Sequence, residues 1–100
     1  MKLIELEPRW IHPNVLAFKC PHCRKVVLTC KNAAMPFTEQ YALFAKTFGE
    51  DNWNKFVVPC EDGFAWKFSG ADFETLNVNP SIDASAAGHW HGHITKGEIK

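Results

Sequence analysis

The sequence predicts a mostly β fold, a β-rich α+β domain in which a small antiparallel sheet carries one covering helix. Three observations predict it. Short apolar runs with period-two alternation recur between Pro, Gly and Asn-Pro turn signals; a single segment has helical periodicity; and a Cys-x-x-Cys turn sits between two of the β-prone runs.

Taken in order, Leu3–Leu6 is short and apolar and reads as a first strand, followed by an irregular stretch around Trp10 and Ile11 bracketed by Pro8 and Pro13. Leu16, Phe18 and Cys20 alternate with Ala17 and Lys19, which predicts a strand over residues 15–20; Val26, Val27, Leu28 and Thr29 predict another over 25–31. Phe37, Tyr41, Phe44, Ala45 and Phe48 step along one helical face, with Thr38 as N-terminal cap and Gly49 as stop, and the apolar stripe predicts a helix laid on the sheet. Residues 55–59, 64–68 and 72–78 read as three further strands, with Phe64, Trp66 and Phe68 on one face, Glu61-Asp62-Gly63 as a turn and Pro80 ending the third. A small, polar stretch over 81–88 predicts a surface loop; a final strand follows over 89–95, and Lys96-Gly97 turns the chain.

Length and composition bound what such a chain does. At 100 residues one domain, 1–100, is expected, and 46% apolar residues with eight Phe and four Trp supply enough side chain for a core. Eleven Lys plus Arg balance eleven Asp plus Glu, which excludes the strong field of a bulk nucleic-acid binder or a polybasic membrane protein. No apolar run approaches the roughly 20 residues of a membrane span, and acids at Glu5 and Glu7 stand where a signal peptide is apolar, so a soluble, cytoplasmic protein is expected. In that setting four cysteines read as metal ligands or buried thiols rather than as two disulfides.

The chemistry concentrates in two places. Cys20-Pro21-His22-Cys23 has knuckle spacing, a tight turn between strands that aims two sulfurs at one ion, and Gly88-His89-Trp90-His91-Gly92-His93 sets three imidazoles on alternate positions. On an extended strand His89, His91 and His93 share one face, with Trp90 and Ile94 on the other. Two thiolates and imidazole nitrogen suit Zn2+, with Cys20, Cys23 and His91 as the expected core of the site and His89 or His93 as a further ligand. For the fourth place His89, His93, Cys60 and His22 are open candidates. A closed four-ligand shell makes the ion structural; three protein ligands leave a place that a water could fill and from which it could attack an ester or amide. Cys30 and Cys60 otherwise read as small buried hydrophobes, and His12 and His22 as surface residues.

Other patterns fit less well. His91-x-His93 with Glu98 matches half a cupin metal motif, whose second ligand segment the remaining residues do not supply, and the Cys pair lacks the strand-then-helix setting of a redox motif. Lys19, Arg24, Lys25 and Lys31 around the knuckle read as solubilised strand edges, with a phosphate-gripping surface as the alternative.

Several segments together resemble a family. Met1-Lys2-Leu3-Ile4-Glu5-Leu6 with Pro8-Arg9-Trp10, then Phe18-Lys19-Cys20-Pro21, Phe73-Glu74-Thr75-Leu76 with Pro80-Ser81-Ile82, and Trp90-His91-Gly92 with Ile94-Thr95 and Gly97-Glu98 resemble a group of small phage and bacterial proteins classed as a domain of unknown function. The resemblance implies a zinc-ribbon-like, mostly β protein whose ligands come from a cysteine-rich turn and a C-terminal cysteine, two residues, then histidine. It maps the turn onto Cys20 and Cys23 and the histidine onto His91; the turn departs from the family's Cys-Pro-Cys-Gly-Cys, and Gly88 stands where the C-terminal cysteine falls, which makes the adjacent His89 the preferred substitute. Some members carry an ammonia monooxygenase name, an activity of a multi-subunit membrane copper enzyme that does not fit this chain.

The expectation is therefore a small soluble zinc-binding protein with a structural ion, monomeric or a small homo-oligomer. The alternatives are a metal-dependent hydrolase or oxidase using the C-terminal histidines, with Glu98 as base, and an adaptor binding a host protein or nucleic acid through the basic knuckle.

Overall fold

The computed structural model describes residues 1–32, 37–50, 53–59, 66–85 and 88–100. Within them the fold is strand-rich, as the alternation predicts, but the strands divide between two four-stranded sheets. The first holds β1 (Arg9–His12), β2 (Val15–Lys19), β3 (Val27–Lys31) and β4 (Val57–Pro59), antiparallel except for the parallel β3–β4 pair. The second, antiparallel throughout, holds β5 (Lys67–Ser69), β6 (Asn77–Asp83), β7 (His91–Thr95) and β8 (Glu98–Ile99). The main helix, α1 (Phe37–Phe48), stops before Gly49 at φ 109°, as expected; it begins at Phe37, so Thr38 lies inside it and does not cap it. A short α2 (Trp53–Phe56) follows.

Register explains the layering. Leu16 faces Cys30 and Phe18 faces Leu28 across β2–β3, so these four side chains share one face of the first sheet. They join Val78 and Ile82 of β6 and Ile94 of β7 in one buried cluster, so both sheets close on the same core. On the opposite face of β2, Val15 and Ala17 are buried as well, so the first sheet is covered on both sides. The helix lies beside it: the Arg9 guanidinium of β1 sits 4.8 Å from the Phe48 ring centre, and Phe44 is wholly buried. Trp53 packs on Tyr41 and Phe44, and Phe56 on Phe48, which sets α2 against α1.

Several sequence expectations change, among them the stretch around Trp10 and Ile11, expected to be irregular, which is strand β1. Leu3–Leu6 is a single 3-10 turn, in which Leu3 and Leu6 fall on one side because residues three apart eclipse; both are buried, and Glu5 accepts the Lys2 amide. Residues 55 and 56 belong to α2, and the strand starts at Val57. Residues 72–75 form a turn, held by Thr75 donating from backbone and hydroxyl to the Asp72 carboxylate, and β6 begins at Asn77. β6 then runs through Pro80 to Asp83, so 81–83 is strand with Ile82 wholly buried. Proline is tolerated there because the β6–β7 register breaks between Val78 and Ile82, where no ladder donor is required. Phe64 and the Glu61-Asp62-Gly63 turn lie outside the described residues. Trp66 is buried and donates from its indole N–H to the Ser81 carbonyl at 3.2 Å.

The chain's two ends meet along the second sheet. Leu3 donates to the Gly97 carbonyl at 2.7 Å, Ile99 donates to that of Met1 at 2.9 Å, and Lys2 bridges Glu98. Gly97 holds the β7–β8 turn at φ 72°, and a Cβ there would run into the Phe73 and Glu74 backbone. Gly97→Ala is expected to cost more than about 2 kcal/mol, the left-handed penalty plus the clash, read as a lower denaturant midpoint at unchanged m-value.

Candidate metal centre

The site begins in the turn after β2. Cys20 donates its amide to the Val26 carbonyl at 2.9 Å, and Arg24 donates to the Cys20 carbonyl at 2.8 Å, which closes a tight loop around Pro21–Cys23. Arg24 completes it in the left-handed region, φ 57°, a conformation that costs a non-glycine residue roughly 1–2 kcal/mol. That bend points the Lys25 amide at the Cys23 sulfur, 3.5 Å away. Hydrogen bonds from the Lys25 and then the Val26 amide, with the Cys20 thiol contributing less, hold the Cys23 thiol below the usual thiol range. The thiolate that a metal requires is thus favoured by the backbone itself.

The third donor comes from the other sheet. Between β6 and β7 the Ala84 amide donates to the Trp90 carbonyl at 2.9 Å, and the His89 amide donates to the Ala84 carbonyl at 3.0 Å, so the ladder continues irregularly past the strand ends. The turn is held by Asp83, whose carboxylate accepts from the Ser85 hydroxyl and amide; those bonds, and then the cross-strand His91, keep it below the usual carboxylate range. Trp90 packs edge-on against Phe18 at 6.0 Å, and its indole lies over Gly92, where a Cβ would meet ring atoms at 2.6–2.8 Å. With Trp90 anchored on the core, His89 is delivered to the knuckle, and its Nδ1 stands 3.7 Å from the Cys23 Sγ.

One sulfur of Cys20, one of Cys23 and one nitrogen of His89 all lie within 4.8 Å of one another. A tetrahedral zinc at about 2.3 Å from sulfur and about 2.0 Å from nitrogen sets edges of roughly 3.5 Å between sulfur and nitrogen and roughly 3.8 Å between sulfurs, close to the Cys23–His89 separation. This group of donors could hold a metal ion. Without an ion, the same 3.7 Å serves a thiol–imidazole hydrogen bond.

Of the expected donors, Cys20, Cys23 and His89 are the ones brought together. His91, named with Cys20 and Cys23 as the core of the site, takes no place in the group, and neither does His93. The strand begins at His91 rather than at residue 89, so His89 escapes the alternation and turns toward the knuckle, while His91 and His93 stand exposed on one face of β7. His22 is exposed at the turn's tip; Cys60 lies outside the described residues. Cys30 is buried on β3, as expected. The residues that place His89, Ala84, Trp90 and Gly92, carried no chemical signal in the sequence; the Trp-x-Gly spacing, a glycine beneath an indole two residues away, is the trace they leave.

No protein-family model, no curated protein and no solved structure matches the chain. Gly92→Ala is expected to lift the Trp90 indole, displace His89 and weaken metal uptake at least tenfold while far-ultraviolet circular dichroism is retained; competition with a chromophoric chelator measures the change.

Proposed function

We propose that the protein is a small zinc-binding domain whose ion, held by Cys20, Cys23 and His89, ties the knuckle of the first sheet to the β6–β7 turn of the second. The observation that carries this reading is the convergence of three donors, from segments 66 residues apart, to within 4.8 Å of one another. Support comes from the knuckle's N–H···S bond and from the chemistry of the set, since two thiolates and an imidazole select borderline-soft zinc over calcium or magnesium. In this reading the ion serves to staple the two sheets, whatever fills its fourth position. A small domain's zinc is worth on the order of 10 kcal/mol, comparable to the whole net stability of about 5–15 kcal/mol expected of such a fold. The reading also places the chain in a reducing, cytoplasm-like compartment, because its sulfurs work as thiolates.

As isolated, the protein should carry one zinc per chain by elemental analysis. Chelation should lower the thermal midpoint steeply: at about 4–8 °C per kcal/mol for a domain of this size, even 3 kcal/mol of lost ion binding is worth roughly 12–24 °C. An unchanged midpoint with no metal in the sample would sink the proposal. Among single substitutions, Cys23→Ser and His89→Ala should each abolish stoichiometric zinc, whereas His91→Ala and His93→Ala should retain it, measured by native mass spectrometry.

A further inference from the structure

We propose that the ion's fourth coordination position faces solvent and accepts a small external anion, a low-molecular-weight thiolate being the best chemical match. The inference rests on the zinc reading above. Three donors occupy three corners of a tetrahedron, and among the described residues no fourth Cys, His, Asp or Glu joins the group. The burial of the three sets the direction of the remaining corner. Cys20 is 0% exposed and forms the floor, whereas Cys23 and His89 are both part-exposed and form the rim. The fourth corner of a tetrahedron points away from the other three, so it lies on the rim side.

Charge then selects the ligand class. A zinc ion with two thiolates and a neutral imidazole is neutral overall, so the surroundings decide. Arg24 and Lys25, both exposed, follow Cys23 directly, the Arg24 guanidinium lying 3.8 Å from the Met1 sulfur, while the Glu7 carboxylate is paired with Lys19. Two cationic residues next in the chain to Cys23 favour an anion over a neutral donor. Zinc already bound to two sulfurs is soft enough to prefer a third thiolate to an oxygen ligand; without one, water completes the shell. The site would thus serve as a docking point for a small thiol.

The test uses cobalt as the spectroscopic stand-in for zinc in the full-length chain, with 2-mercaptoethanol and azide as probes. Cobalt should bind one to one with sulfur-to-metal charge transfer. Added 2-mercaptoethanol should raise that band toward the intensity of three thiolates, azide should shift the visible bands, and both effects should saturate. Arg24→Gln with Lys25→Gln should weaken the affinity for either anion severalfold. Cys60→Ser, His22→Ala, His91→Ala and His93→Ala should leave the starting cobalt spectrum unchanged. A spectrum insensitive to both probes, or one altered by any of those four substitutions, would show that the protein supplies the fourth donor and would overturn the inference while the zinc reading stood. A chain that takes up no cobalt or zinc would overturn both.

Discussion

The structure depends on a contact between two sheets at their rim: the Cys knuckle after β2 meets the β6–β7 turn where Trp90 packs on Phe18. Below that rim the sheets share a buried cluster that includes Phe18, Leu28, Val78 and Ile94, so their relative position is set by apolar packing. At the rim packing gives way to donors. Cys20, wholly buried, belongs to the core and to the donor group at once, which makes the site an extension of the hydrophobic interior rather than a surface addition. An ion there would act on the same interface that the core stabilises, and the two effects would reinforce each other.

The local conformations are consistent with that role. A left-handed Arg24 and an irregular ladder at Ala84–Trp90 each give up some regular structure. Each also aims a donor or a hydrogen bond at one spot: the first brings the Lys25 amide to the Cys23 sulfur, the second brings His89 across. The Asp83–Ser85 turn supports the second device, since its carboxylate accepts two hydrogen bonds that fix the start of the loop. Because the Asp83 pKa is lowered in the folded state, the stability it contributes is present above the ordinary carboxylate range and fades as pH falls through the depressed value.

Much of this architecture was legible in the residues. Alternation located β2 and β3 to within two residues, the Cys spacing located the knuckle between them, and a four-three-one-three aromatic step located α1. Other parts were not, for identifiable reasons. Leu3–Leu6 is too short for period two and period three to be told apart, and Pro80 masks β6 because a break in register is a property of the pair, not of either strand. The histidines were the subtler case. Three imidazoles at alternate positions imply a shared face only if the strand includes all three, and it starts at the second. Which ring meets the sulfurs is decided by where the β6–β7 ladder becomes irregular, and that is set by Trp90 packing on Phe18, a tertiary contact that spacing does not encode.

One particular imidazole, that of His89 from outside the strand, joins the two thiols in the donor group. Long-range nitrogen–proton correlation spectra of the zinc-loaded protein, labelled in its five histidines, test it most directly. His89 should be bound through Nδ1 and locked as the Nε2–H tautomer, with His91 and His93 carrying no metal-bound nitrogen. Metal-bound nitrogen signals from His91 or His93, with none from His89, would contradict the account.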